Sequence, residues 1–211
     1  MNSIVAAFCS SFFRTEEKHE KKRNLLPSKN KFIFLNLLGW EVTGVVPEDK
    51  KIVAIVAPHT SWHDFFVGVF TRSVLKMENR IKFLGKYELF KNPLIGWVLR
   101  KLGGYPVVRN KKVNSVDSVV KIFNDNENFF LTLAPEGTRA KVNSLKTGFY
   151  YIALKAKVPI LMVGFCFKRR IVHFGEKFYP SGNIDKDMKK IISFFSNYQG
   201  KVPSKGLNHL V

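Results

Sequence analysis

The sequence predicts an α/β domain in which helices flank a mostly parallel sheet. Runs of β-branched and apolar residues alternate along the chain with segments of helical periodicity. The chain has 211 residues, of which 45% are hydrophobic, so it is long enough for one domain with a hydrophobic core. Alternation of this kind favours a parallel sheet, because the helices connect strands that run in the same direction.

Short apolar runs bounded by turn residues are predicted to be the strands. The clearest is residues 52–57, whose unbroken apolar run has the length and composition of a buried strand. The predicted strands, in order, are 52–57, 81–84, 105–108, 129–134, 160–164 and 170–174. Ligands of such sheets bind at the carboxyl ends of the strands, so polar residues just after these runs are candidates for a site.

The segments between the strands are predicted to be helices. Pro93 suits the first turn of one of them, where its missing N–H is not needed. The predicted helices are 64–75, 93–102, 113–123, 149–156 and 188–198, and a long polar loop follows residue 134.

The N-terminal region has a different composition. Residues 1–31 hold the densest group of lysines and arginines, and the charged part lacks apolar periodicity, so it is predicted to be a flexible basic arm preceding a domain over residues 32–211. Residues 31–40 form a short apolar segment that ends at Trp40. This segment fits either a helix in a membrane interface or the first core helix, and the sequence leaves both open. No apolar run approaches the roughly 20 residues that span a bilayer, so any membrane contact is expected to be peripheral or monotopic.

The charge indicates classes of partner rather than a fold. The formal net charge is +19, which suits an anionic membrane, nucleic acid or an acidic carrier protein, or simply a solvated basic surface. The two cysteines, Cys9 and Cys166, cannot form a metal-ligand cluster or a disulfide framework. A reducing compartment and the absence of a metal are therefore expected.

A histidine and an aspartate follow the first buried strand. His59 comes just after this strand and Asp64 opens the next helix, so the turn between them could bring the two side chains together. A carboxylate that binds one imidazole nitrogen orients the ring and stabilises the imidazolium, which makes the other nitrogen a general base. A His and an Asp five residues apart are common by chance, so the pair alone does not establish a site.

Two further strand ends carry polar residues. Residues 136–139 read Glu-Gly-Thr-Arg after one strand, and Arg109 ends another. Arginine offers a fork of donors suited to phosphate. Taken alone, each segment could be an ordinary solvated turn; together with His59 and Asp64 they point to one site at the carboxyl edge of the sheet.

This set of residues resembles the glycerolipid acyltransferase family, which includes the lysophosphatidate (1-acylglycerol-3-phosphate) acyltransferases. His59 and Asp64 match the family's first block, a His and an Asp separated by four residues. The remaining blocks match in order: Gly103, Pro106, Val107 and Arg109; then residues 135–139 in full; then Val158, Pro159 and Ile160. The resemblance covers residues 40–165, and ordered blocks are a stronger signal than any single motif.

The resemblance implies a fold, a reaction and a site. It implies an acyltransferase-like α/β domain in which His59 deprotonates an acceptor hydroxyl and Asp64 orients His59. The residues that would hold the acceptor, commonly through a phosphate, are Arg109, Glu136, Gly137, Thr138 and Arg139, and Pro159 would help to shape a pocket. Neither a covalent acyl-enzyme nor a metal or other cofactor is expected.

The resemblance also implies partners. The donor would be an acyl thioester, either acyl-CoA or acyl carrier protein, and the acceptor a lysophospholipid, foremost 1-acylglycerol-3-phosphate. Another acceptor, such as an amino-lipid, stays open. The location implied is the cytoplasmic face of a membrane with an anionic surface.

Other classes of function fit less well. A serine hydrolase would use Ser61, but the chain lacks a Gly-x-Ser-x-Gly elbow. A nucleic-acid-binding protein suits the charge, but no recognised nucleic-acid motif is present, so no specific nucleic-acid partner is expected. A non-enzymatic membrane-binding protein is disfavoured by the intact His59, Asp64, Glu136 and Arg139.

Overall fold

A seven-stranded sheet forms the centre of the computed structural model, which describes residues 38–107 and 115–211. The strand order is β1-β7-β6-β2-β5-β3-β4. Neighbouring strands are parallel except β6 and β7, which are antiparallel. The strands are β1 (Glu41–Gly44), β2 (Lys51–Ala57), β3 (Ile81–Lys86), β4 (Gly104–Val107), β5 (Phe129–Leu133), β6 (Ile160–Cys166) and β7 (Ile171–Phe178). The predicted α/β class and the mostly parallel sheet are confirmed.

Helices connect the strands and cover both faces of the sheet. They are α1 (His63–Val74), α2 (Tyr87–Lys91), α3 (Pro93–Lys101), α4 (Ser115–Asp125), α5 (Gly148–Ala156) and α6 (Ile184–Phe195), followed by short 3₁₀ turns at Pro203–Lys205 and Asn208–Leu210. Asn92 caps α3, since its side-chain oxygen accepts hydrogen bonds from the N–H groups of Leu94 and Ile95. No helix in the described ranges is long and apolar enough to cross a bilayer.

The alternation of side chains along β2 divides the core in two. Val53, Ile55 and Ala57 point to the face that α4, α5 and α6 cover. Ile52 and Ala54 point to the opposite face, where α1 packs. Because both faces of β2 are buried, its sequence is an unbroken apolar run rather than an alternation of apolar and polar residues.

Several predicted elements differ from those observed. The sequence did not predict β1 or α2, since the former is a half-exposed strand of four residues and the latter a helix of five. The last helix begins at Ile184 rather than at 188, because Asn183 caps its first turn. The predicted helix over 31–40 lies largely outside the described residues. Residues 38–40 are not helical, and Trp40 is only 8% exposed, with its ring edge-on to Phe167 at 4.9 Å between centroids. Trp40 is therefore a core residue; the predicted arm over 1–31 lies outside the described residues.

Candidate active site

The carboxyl ends of β2 and β5 lie side by side. These strands pair in parallel with Ile55 opposite Leu133, so the residues that follow them emerge at the same edge of the sheet. This register brings the segment that begins at His59 next to the segment that contains Glu136. The topology thus assembles a site from residues 77 positions apart in sequence.

His59 and Asp64 form the predicted pair. The His59 Nδ1 atom lies 3.0 Å from Asp64 Oδ2, and the two side chains are 29% and 3% exposed. If Nδ1 donates its proton to this carboxylate, the lone pair is on Nε2, the nitrogen left to meet a substrate. The geometry is that of a general base held by a buried carboxylate.

The backbone of the turn holds Asp64 in position. Its Oδ2 atom also accepts hydrogen bonds from the N–H groups of Thr60 (2.8 Å) and Ser61 (2.9 Å). Asp64 lies in the first turn of α1, where the helix dipole favours a negative charge. Its other oxygen, Oδ1, is buried and has no hydrogen-bond partner among the described residues.

Glu136 is buried behind His59. Its Oε1 atom accepts a hydrogen bond of 2.6 Å from the backbone N–H of His59, and only 2% of the residue is exposed. Burial raises the pKa of the Glu136 carboxyl above its ordinary value, although the hydrogen bond from His59 acts in the opposite direction. Its Oε2 atom has no partner within the described ranges. Glu136 thus contacts the backbone of the base rather than open solvent.

The rest of the 136–139 segment is an exposed turn. Gly137 has a positive φ of 67°, which favours glycine, and its N–H bonds to the carbonyl of Ala134 at 3.1 Å. The Thr138 hydroxyl accepts from the N–H of Ala140 at 3.2 Å, and Arg139 is exposed. The structure therefore brings Glu136 to His59 and leaves Thr138 and Arg139 at the surface of the same edge.

Two further predicted site residues have different outcomes. Arg109 lies outside the described residues, so its role stays a prediction. Pro159 is buried just before β6, and its carbonyl accepts from the N–H of Val53, near the start of β2. Pro159 thus lies at the opposite edge of the sheet from His59, and its predicted role in shaping a pocket is not supported by this position.

Ser61 and His63 form a separate contact beside the main pair. The Ser61 hydroxyl lies 2.8 Å from His63 Nδ1, and the His63 ring stacks on Trp62 with centroids 4.0 Å apart. Ser61 therefore pairs with His63 and not with the histidine that Asp64 holds.

An apolar cavity of about 210 Å³ opens beside His59. It lies between α1 and the sheet, on the face to which Ala54 points. Its lining includes Phe65, Gly68, Val69 and Arg72 of α1, Phe83 of β3, Phe130 and Thr132 of β5, and Phe165 of β6. The apolar lining suits a hydrocarbon chain whose reactive end lies at His59.

Sequence reasoning did not find the residues of this cavity. Phe65, Gly68, Val69 and Arg72 are spaced three, four and seven positions apart on α1, which is the pattern of one helix face. Such a stripe usually indicates packing against a core. Gly68 was the one available signal, since a glycine inside a helix leaves room where other residues would fill it.

Arg72 closes the far end of the cavity. It is 5% exposed and donates hydrogen bonds to the carbonyls of Lys101 and Leu102. Burial lowers the pKa of its guanidinium below the ordinary value. Arg72 thereby joins the end of α1 to the start of β4.

These features define a class of protein. A parallel α/β sheet that presents a buried Asp, an oriented His and an apolar cavity at one strand edge is suited to activating a hydroxyl group beside a bound acyl chain. The sequence profile of the acyltransferase family matches residues 40–165. The chain belongs to the acyltransferase family.

Named relatives agree with this assignment. The chain is 30% identical over 136 residues to a 1-acyl-sn-glycerol-3-phosphate acyltransferase from Streptococcus pneumoniae, a match that covers 60% of this chain and 49% of the relative. It is 32% identical over 118 residues to the enzyme of that name from Bacillus subtilis, covering 55% and 56%. The chain thus spans about half the length of the relatives it matches.

A solved structure shares the fold. The chain resembles the crystal structure of the 1-acyl-sn-glycerophosphate (LPA) acyltransferase PlsC from Thermotoga maritima with a TM-score of 0.50 and 18% identity, over 87% of this chain and 85% of that one. At this identity the similarity shows the architecture of the sheet and helices.

Proposed function

We propose that the protein transfers a fatty acyl chain from a thioester to the free hydroxyl of a lysophospholipid, foremost 1-acylglycerol-3-phosphate, in phospholipid synthesis. The observation that carries this proposal is the placement of the His59–Asp64 pair at the mouth of an apolar cavity. The names of the similar proteins supply the choice of acceptor.

The chemistry follows from the free nitrogen of His59. Nε2 removes the proton of the acceptor hydroxyl while its oxygen attacks the thioester carbonyl carbon, and Asp64 stabilises the imidazolium that forms. The tetrahedral intermediate collapses as the C–S bond breaks, and the imidazolium returns its proton to the leaving thiolate. An ester and a free thiol result, and no acyl group becomes attached to the protein.

The two substrates have separate places in this scheme. The acyl chain of the donor occupies the cavity between α1 and the sheet, where apolar side chains replace water around it. Arg139 is exposed at the same edge and supplies a fork of donors for the phosphate of the acceptor. Arg109 and Thr138 complete this anion site in the proposal.

The donor and the surroundings belong to the proposal as well. Acyl-CoA and acyl carrier protein both bring anionic groups to a strongly basic protein, and a net charge of +19 also suits work at the anionic, cytoplasmic face of a membrane. The mechanism requires no metal or other cofactor, because the protein groups alone move the proton.

The test is acyl transfer from a labelled thioester to a panel of acceptors. Acyl-CoA and acyl carrier protein are compared as donors, and the panel includes lysophospholipids and an amino-lipid. We expect wild type to acylate 1-acylglycerol-3-phosphate and His59→Ala to lose about 10²–10⁴-fold in rate, the typical contribution of a general base.

The matched control is His63→Ala, which removes an imidazole four positions away that pairs with Ser61. It should keep most of the activity. Equal rates in wild type and His59→Ala would remove His59 as the base, and an acyl group trapped on the protein would favour hydrolase-like chemistry. Transfer to the amino-lipid alone would move the proposal to that acceptor.

A further inference from the structure

The apolar stripe of α3 faces away from the protein. Leu94, Ile95, Trp97 and Val98 are 71%, 48%, 60% and 40% exposed, and their spacing places them on one side of the helix. The opposite side is buried at Gly96, where an added Cβ would come within 2.6 Å of the Phe90 carbonyl oxygen. A surface helix normally turns its apolar side toward the core, so the orientation of α3 is reversed.

The preceding helix extends the same surface. Tyr87 and Leu89 of α2 are 45% and 49% exposed. Phe90, only 4% exposed, anchors the pair of helices, since its ring packs against Gly85 of β3 and Gly104 of β4. The two helices are thus held firmly to the sheet while Tyr87, Leu89 and the apolar stripe of α3 remain outside.

Cations surround this apolar surface. Residues 86–101 contain Lys86, Lys91, Arg100 and Lys101 but a single acidic residue, Glu88. Lys91 Nζ lies 5.6 Å from the centroid of the Tyr87 ring, and Lys101 Nζ lies 5.9 Å from that of Trp97. Aromatic and aliphatic side chains bordered by lysines and arginines are typical of helices that lie in the interface of an anionic bilayer.

The surface begins at the same edge of the sheet as His59, and α3 then runs back toward the start of β4. The α2 helix begins where β3 ends, and β3, β5 and β2 are parallel neighbours. Trp62, Phe65 and Phe66 at the start of α1 are also exposed at this edge, by 57%, 37% and 48%. Phe65 both lines the cavity and packs edge-on against Phe83 of β3 with centroids 5.5 Å apart.

We propose that residues 87–101 insert the apolar side chains of α2 and α3 into an anionic bilayer and thereby turn the mouth of the cavity toward the lipid. Basic side chains meet the headgroups while Leu94 and Trp97 enter the acyl region. Exposed aromatic and aliphatic side chains bordered by cations match an anionic bilayer better than they match a protein partner. The orientation of the site rests on the proposed function, whereas lipid binding by the stripe does not.

Vesicle flotation of the full chain tests the docking surface. The probe is a vesicle of phosphatidylglycerol and phosphatidylcholine, compared with phosphatidylcholine alone. Leu94→Glu combined with Trp97→Glu should weaken binding to the anionic vesicle about tenfold or more, because two apolar side chains no longer leave water. Wild type should bind the neutral vesicle more weakly than the anionic one.

The matched control carries the same change of charge at the opposite edge. Val45 and Tyr179 are 79% and 62% exposed and follow β1 and β7, which run opposite to β2. Val45→Glu combined with Tyr179→Glu changes the net charge by the same two units but leaves the stripe intact. It should therefore bind the anionic vesicle nearly as well as wild type does. Equal weakening of vesicle binding in both double variants would mean that net charge alone causes the effect, and it would overturn the proposal.

Quenching by brominated lipids tests the contact directly. Tryptophan emission of the wild type should be quenched on anionic vesicles, and Trp97→Phe should remove a large share of that quenching. This readout holds even where residues 1–37 also bind lipid. Unchanged quenching in Trp97→Phe would overturn the proposal, because it would show that Trp97 does not contact the lipid.

A soluble assay separates this proposal from the proposed function. Transfer to a short-chain acceptor in detergent should be equal in wild type and in Leu94→Glu with Trp97→Glu, whereas transfer on vesicles should fall with binding. Absence of transfer by the wild type under both conditions would count against the proposed function and leave the lipid-binding result intact.

Discussion

One face of the sheet is filled with large side chains, whereas the other keeps a cavity beside His59. On the face that α4, α5 and α6 cover, Tyr150, Phe123 and Phe195 are at most 1% exposed. On the face that α1 covers, a space of about 210 Å³ remains between the helix and the strands. We infer that the first face provides most of the stability, and that the second gives up some packing to accommodate a ligand.

Two glycines show the difference at atomic scale. A Cβ added to Gly164, on the packed face, would come within 2.5 Å of the Tyr198 ring. A Cβ added to Gly68, on α1, would meet no atom within 4 Å. The same residue type therefore permits close packing on one face and maintains open space on the other.

Two buried carboxyl groups repeat the contrast. Asp187 lies on the packed face, where its Oδ2 atom accepts from the Tyr150 hydroxyl and from the N–H and hydroxyl of Ser181 at 2.7–2.9 Å. Burial alone would raise the pKa of Asp187, but these hydrogen bonds lower it below the ordinary value. Glu136, near the cavity, has one backbone hydrogen bond from another residue, and burial raises its pKa.

The largest expected effect comes from emptying the packed face. Phe195→Ala should lower the free energy of unfolding by about 3–5 kcal/mol, because a fully buried ring is replaced by a cavity. Phe65→Ala, which removes a ring that is 37% exposed at the cavity, should cost about 1 kcal/mol or less. Urea denaturation measures both, and equal losses would contradict the proposed division between the faces.

A smaller effect should come from the two glycines. Gly164→Ala should destabilise the protein by about 1–3 kcal/mol through overpacking against Tyr198. Gly68→Ala should stabilise it by about 0.5–1 kcal/mol, since the space is open and alanine favours the helix. Thermal unfolding of the two variants tests the opposite signs.

The same glycine also links packing to activity. A larger side chain in Gly68→Leu should fill the cavity and reduce transfer of long acyl chains more than that of short ones, with the fold retained. Equal rates for both lengths would show that the acyl chain does not occupy this space.

The smallest expected effect is a pH dependence of opposite sign for the two carboxyl groups. Because its pKa is raised in the folded state, the Glu136 carboxyl stabilises the fold at pH values below its unfolded-state pKa of about 4.3. This stabilisation is lost as pH rises through its folded-state pKa. Because its pKa is lowered in the folded state, the Asp187 carboxyl stabilises the fold at pH values above its unfolded-state pKa of about 3.9. This stabilisation is lost as pH falls through its folded-state pKa.

Isosteric variants measured by denaturation at several pH values test these signs. Relative to wild type, Glu136→Gln should gain stability as pH rises above about 4.3. Asp187→Asn should lose stability relative to wild type as pH rises toward about 3.9, and the loss should be constant above that value. Parallel curves for both variants would contradict the assigned directions.

Elements with strong local signals were predictable. The observed bounds of the strand Lys51–Ala57 and the helix His63–Val74 differ from the predicted bounds by no more than one residue at either end, because each segment has a long apolar pattern. The strand at Glu41–Gly44 was missed, since its pairing with β7, 130 residues away, defines it. A four-residue segment has no periodicity that could reveal such a partner.

The site divides in the same way. The amino-acid order by itself predicted His59, Asp64 and the 136–139 segment as site residues, because a histidine base needs a carboxylate within reach and the family's blocks keep their order. It could not show that Pro159 lies at the opposite edge, nor that Glu136 bonds to the backbone of His59, since both depend on which strands are neighbours. The cavity and the outward stripe of α3 were also decided by the tertiary structure alone. An apolar helix face is the same in sequence whether it meets a core, an empty space or the surface, and only packing distinguishes the three.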